Sequence, residues 1–254
     1  MERGVLMRPI GFSTGALAKS DVREGLAIQA VHPRIAVTEL SALRDWELRP
    51  LVDSIPTLDL RQFGYVSIHA PSKLGAMAEE EVVDLLHATP QGMPIIVHPE
   101  VARTPSLWVG FGRRLCLENM DNRKRSGRTV DELRALFEIF PEAGFCLDIG
   151  HARQIDPTMA GAMQMLRAFR ERLVQLHVSE VGASGEHLPL SSLAMYSFQV
   201  LANLIPESCP LIIESVVPAA EVGSEIAKCE AIFGTAPAPR RRSMIELAAT
   251  MVAS

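Results

Sequence analysis

Residues 144–152 read GFCLDIGHA. Four small or apolar residues run into a carboxylate at Asp148, and Ile149-Gly150 then leads to an imidazole at His151. The run is too short for a buried helix. Its hydrophobicity is continuous rather than alternating, as a parallel strand shows when crossover helices cover its outer side. The segment therefore predicts a buried parallel strand whose end presents an acid and, just beyond, a histidine.

Seven more runs of this kind flank it: PIGFS (9–13), IAVTEL (35–40), YVSIH (65–69), PIIVH (94–98), RLCLE (114–118), LVQLH (173–177) and LIIES (211–215). Helix-like stretches lie between most of them. AEEEVVDLLHA (78–88) carries acids in its first turn, where they complement the helix dipole. DELRALFEIF (131–140) and AGAMQMLRAFRERL (160–173) space apolar residues three and four apart. From one polar strand end to the next, His69, His98, Glu118, Asp148, His177 and Glu214 are separated by 29, 20, 30, 29 and 37 residues. A repeat near thirty is one βα unit. The step after His98, through VARTPSLWVGFG (101–112), leaves room for only a brief helix.

The fold class expected is an α/β, single-domain (β/α)8 TIM barrel over residues 1–234. An open doubly wound sheet usually carries a Gly-rich phosphate turn after its first strand, and GFSTGA (11–16) is a poor version of one. From Thr235, TAPAPRRRS and MIELAATMVA read as a C-terminal linker and helical tail over 235–254. A chain of 254 residues that is 48% hydrophobic suffices for one large core. The net charge of −5 gives no general attraction to a phosphate backbone, so nucleic acid is not favoured as a partner. Four cysteines without a CxxC pair suit a reducing, cytoplasmic setting, and no apolar stretch has the length of a membrane span.

The last six runs each carry His, Glu or Asp at the end or, for Glu214 in LIIES, one residue before it. In a parallel barrel those ends share one rim, so residues from 69 to 214 converge there. Imidazoles mixed with carboxylates suit zinc or manganese, with iron or cobalt compatible, whereas calcium wants oxygen throughout. His151 and the loop residue His187 extend the set. Glu39, at the end of the second run, Asn119, Lys73 and Glu186 are candidate substrate contacts, and Arg123-Lys124-Arg125 lies on the same rim.

In these residues the chain resembles the xylose-isomerase-like barrel superfamily, which includes sugar phosphate isomerases and epimerases and the endonuclease IV type of AP endonuclease family 2. The resemblance spans roughly Pro9 to Val217 and rests on IHAPS, IVHPE, LCLENMD, CLDIGHA, LHVSE, GEHLPL and IIES in that order. For an isomerase or epimerase it implies one ion held by Glu118, Asp148, His177 and Glu214. The two glutamates would move a proton on carbon, and His151 would meet a small hydroxy-carbonyl substrate. For the endonuclease IV type it implies up to three ions. His69 and His98 would join Glu118 on the first, Glu118 would bridge to the second, and His151 and His187 would help hold the third. That pattern has an aspartate where this chain has Gly185, leaving the third ion one carboxylate short unless Glu186 supplies it. The leading expectation is a metal-dependent isomerase or epimerase. The alternatives are a multinuclear phosphoesterase and a metal-binding, non-catalytic or biosynthetic tailoring barrel, with a homo-oligomer compatible with each.

Overall fold

Each of the eight apolar runs forms a strand in the computed structural model, which describes residues 8–234. In chain order the strands are β1 (Ile10–Ser13), β2 (Val37–Ser41), β3 (Tyr65–His69), β4 (Ile95–Val97), β5 (Leu115–Glu118), β6 (Gly144–Asp148) and β7 (Leu173–Val178). A short antiparallel hairpin follows, β8 (Glu180–Val181) with β9 (His187–Leu188), and then β10 (Leu211–Ile213). Leaving out the hairpin, the strands close into a barrel in the order β1-β10-β7-β6-β5-β4-β3-β2. All its neighbours pair in parallel, and β2 closes the ring on β1 through Gly11↔Val37 and Ser13↔Glu39. The single (β/α)8 barrel expected from the sequence is the fold. The tail expected over 235–254 lies outside the described residues.

Local sequence explains the crossovers. Helix Val130–Ile139 starts where the Thr129 side chain accepts from the Glu132 backbone N–H, and it buries Leu133 and Phe137, four residues apart. The short fourth unit contains only helix Pro105–Trp108 and a 3-10 stretch, Val109–Arg114. Fully buried Trp108 anchors it by donating its indole N–H to Glu79 (2.8 Å), at the head of helix Glu79–His87.

Strand side chains alternate between two faces, and the alternation makes two apolar layers. Ile95, Val97, Leu115, Leu117, Phe145, Leu147, Leu176, Val178, Leu211 and Ile213 join the helices in one large core. Ile96, Cys116 and Cys146 form a separate small cluster inside the barrel. Two positions further along the same strands, hence on the same inner face, come His98, Glu118 and Asp148. Interior packing thus stops at one layer and a polar ring begins at the next. All four cysteines are buried and free. Among the described residues, no helix is long and apolar enough to cross a membrane.

Candidate metal centre

The polar ring lies at the C-terminal mouth. His69, Glu118 and Asp148 are the last residues of β3, β5 and β6, His177 is one short of the end of β7, and His98 and Glu214 each lie one past their strand. Their ligand atoms fall into overlapping groups within 4.8 Å: His69, His98 and Glu118; Glu118, Asp148, His177 and Glu214; Glu39, His69, His177 and Glu214; and Asp148, His151 and His187. All eight residues named from the sequence as ligands are in one of them, whereas Glu186, the alternative carboxylate for a third ion, is in none.

Glu118 divides its carboxylate between two sets of donors. Oε2 lies 3.2 Å from His69 Nε2 and 3.3 Å from His98 Nε2. Oε1 lies 3.2 Å from His151 Nδ1 and 3.5 Å from His177 Nδ1, and the latter nitrogen is 3.3 Å from Glu214 Oε2. His187 Nδ1 approaches Glu214 Oε2 at 3.4 Å and pairs with the Ser179 hydroxyl at 2.8 Å.

Beneath this layer a hydrogen-bond chain aims His177. Glu39 is the third residue of β2, which runs on to Ser41, and it is 0% exposed, so its carboxylate meets the barrel interior rather than the open mouth. Its Oε2 accepts from Gln175 Nε2 (2.7 Å), His177 Nε2 (3.0 Å) and the Ser67 hydroxyl (3.1 Å). Tyr65 donates to Gln175 Oε1 at 2.6 Å. With its proton on Nε2, His177 would present Nδ1 to a metal ion. Sequence reasoning missed Tyr65, Ser67 and Gln175. The signal was there, since each stands two or four residues before a ring histidine on the same strand face.

Asp148 is both strand end and helix cap. Its Oδ1 accepts from the His151 backbone N–H (2.6 Å) at the start of helix Ile149–Ile155, which leaves Oδ2 free. Gly150 lets this helix approach β7, because a Cβ there would fall 2.5 Å from Ser179 O. Asn119 clasps the Asp148 backbone at both ends of its amide, donating to its carbonyl and accepting from its N–H, each at 2.8 Å. Both ends of that buried amide are engaged by β6 and none points to the mouth.

Four buried carboxylates, Glu39, Glu118, Asp148 and Glu214, demand positive charge nearby. In the metal-free protein the imidazoles supply it. Burial alone would lower His69 and His151, but the carboxylates outweigh it, Glu118 with Glu39 for His69 and Asp148 with Glu118 for His151. They raise the two to about 9 and about 10. Burial pushes the Glu214 carboxyl up to about 8, helped by Glu118 and Asp148 and opposed by His177. Burial takes His187 the other way, down to about 4. Burial would raise Glu118, but His98, His177 and His151 together hold it well below the usual carboxylate range. Asp148 Oδ2 and His177 Nδ1 are buried with no hydrogen-bond partner. Unpartnered ligand atoms of both kinds, facing shared carboxylates, fit a divalent ion.

Above the ring opens a cleft of about 830 Å³ lined mostly by polar side chains and by Leu43, Leu188 and Val216, with no Phe, Tyr or Trp among the described residues. Exposed Lys73 stands at its edge with no carboxylate within ion-pair distance among the described residues. Glu186 lines the cleft but folds back over Gly182, where a Cβ would fall 2.5 Å from its Cδ. Lys124 pairs with Glu100, and Arg123 pairs with Asp121, an almost fully buried acid in the LCLENMD stretch to which the sequence alone assigns no role.

No protein-family model matches the sequence, and no curated protein is significantly similar to it. Solved structures are similar. Endonuclease IV from Thermus thermophilus superposes with a TM-score of 0.57 at 20% identity, over 87% of this chain and 99% of that one. L-ribulose 3-epimerase gives 0.51 at 14% identity, over 98% of both chains. Yersinia pestis dihydropteroate synthase gives 0.50 at 15% identity, over 88% of this chain and 92% of that one. At such identities the likeness is one of fold. What the chain shares with these structures is the closed (β/α)8-barrel fold.

Proposed function

We propose that this chain is a divalent-metal-dependent enzyme that hydrolyses a phosphate ester of a small polyhydroxy compound, and that His69, His98, Glu118, Asp148, His177 and Glu214 would hold two ions for it. The observation that supports this reading is the division of Glu118, with Oε2 toward His69 and His98 and Oε1 toward the set that includes His177 and Glu214. In a one-ion site the first pair would be left to hydrogen-bond Glu118 and to line the cleft. Zinc suits the mixed imidazole and carboxylate donors, and manganese, iron or cobalt are compatible with them. Bound there, two divalent ions would polarise a phosphoryl oxygen and acidify an attacking water.

The chain's own residues supply the rest. Glu39 fixes the tautomer of His177, and the His151 backbone N–H orients Asp148 so that only one of its oxygens is left to ligate. The Lys73 ammonium at the rim can meet an anionic oxygen of the substrate. The absence of aromatic side chains from the cleft removes the stacking platform that a flipped or single-stranded base needs, which favours a small substrate over nucleic acid.

A second reading, isomerisation or epimerisation of a hydroxy-carbonyl sugar, is favoured by Glu214. Glu118 and Glu214 both approach His177 Nδ1, at 3.5 and 3.3 Å, which sets two carboxylates side by side to give and take a proton. The test is to incubate the purified protein with a panel of sugar phosphates in deuterated water. Release of inorganic phosphate that disappears in His98→Ala supports the leading reading. Deuterium entering carbon without phosphate release replaces it with the second.

A further inference from the structure

The loop after β5 crosses the mouth and meets the β8–β9 turn through one side chain, Arg123. Its Nε and Nη2 donate to Asp121 Oδ2 at 3.0 and 2.5 Å, and its Nη1 donates to the Ser184 carbonyl at 2.7 Å. Gly185 sits directly beneath. Its φ is +78°, and a Cβ on it would fall 1.8 Å from the Arg123 Cζ, inside the guanidinium. The space into which any side chain at 185 would grow is therefore filled by a fixed organic cation. Asp121 is 1% exposed, and its Oδ2, already taken by the guanidinium, lies 3.9 Å from His151 Nε2. Glu186, the other carboxylate near the turn, folds over Gly182.

These contacts bear on the third ligand group, Asp148 with His151 and His187. A third ion resembling that of the endonuclease IV type would need a carboxylate from position 185, and this chain puts a positive charge in that place. A guanidinium a few ångströms away repels a divalent ion, and the acid it clamps cannot turn to serve as the missing ligand without breaking a paired hydrogen bond. We propose that Arg123, lodged over Gly185 and locked by Asp121, takes the place of a third ion. The centre then holds two divalent ions, and the guanidinium, with about half of its side chain exposed to the cleft (47%), offers its remaining N–H to an anionic oxygen of the substrate. The inference rests on the two-ion reading above and limits it.

The experiment is a count of bound metal. Protein dialysed against zinc and then against metal-free buffer is measured by elemental mass spectrometry, as wild type and as the double variant Arg123→Ala/Gly185→Asp. Aspartate tolerates the left-handed backbone of residue 185 better than most side chains do. Two ions per chain are expected in the wild type and three in the double variant, falling back to two when His187→Ala is added. Three ions in the wild type, one of them lost with His187→Ala, overturn the inference and leave the two-ion reading standing. One ion or none in the wild type overturns both. A folded double variant that still holds two removes Arg123 as the cause and overturns the inference as well. A wild-type count other than two overturns the inference without any variant having to fold.

Discussion

Replacing Glu39 by glutamine tests the part of the centre that lies deepest in the barrel. Three donors, from Gln175, His177 and Ser67, converge on one oxygen of this fully buried carboxylate at 2.7, 3.0 and 3.1 Å, while its other oxygen has no partner. An ionised oxygen holds three donors, and an amide oxygen holds them less well. The new NH2 must then occupy the unpartnered position or face the three donors. Either way a buried donor goes unsatisfied, which costs about 1–3 kcal/mol of stability. The larger effect is on His177, whose Nδ1 is the proposed ligand atom because Nε2 is committed to Glu39. Loss of a carboxylate behind a metal-bound imidazole lowers affinity about 10–100-fold, or roughly 1.4–2.7 kcal/mol. The assay is competition for zinc against a chromophoric chelator at fixed pH, with His177→Ala as the reference for losing the ligand outright. Glu39→Gln should fall between wild type and that reference. Zinc affinity within about twofold of wild type, in a variant with a normal circular dichroism spectrum, would refute the role assigned to Glu39.

Two further outcomes follow from the structure. In chelator, the folded pKa values of His69 (about 9), His151 (about 10) and Glu214 (about 8) all exceed their unfolded values, which are about 6.5 for histidine and about 4.3 for glutamate. The histidine contributions are complete below about pH 6.5 and fade through the folded values, and Glu214 weakens the fold as pH climbs toward 8, so metal-free Tm should drop between pH 7 and 10. Zinc-loaded protein should not show that drop, because the metal replaces the protons, and a metal-free Tm that rises over the range would contradict the charge assignments. Gly150→Ala places a methyl 2.5 Å from the Ser179 carbonyl oxygen and 2.7 Å from Val181, so helix Ile149–Ile155 must move. We expect a loss of about 1–3 kcal/mol in urea unfolding, and an unchanged midpoint would show that the helix yields freely.

The barrel was readable in the chain because its causes are local and repeated. Each strand is an apolar run, the last six with His, Glu or Asp at or beside the end, and each spacing near thirty is a strand with its crossover helix. Period-two alternation then determines which residues share the inner face, so that Glu118 follows Cys116 and His177 follows Gln175 on the same side. Chain order and strand ends by themselves therefore determined the ring His69, His98, Glu118, Asp148, His177 and Glu214. Only closure of the barrel decided what those residues do to one another. The register that sets Ser41 beside His69 and Glu39 beside Ser67 carries Glu39 beneath His177, which is 138 positions away in the chain. The same closure brings Arg123 onto Gly185 from a loop 62 residues earlier, and it sends the two oxygens of Glu118 to different histidines. Such contacts depend on distance in space and on which lone pair faces which donor. Neither has a period along the sequence, so neither could be read before the fold was closed.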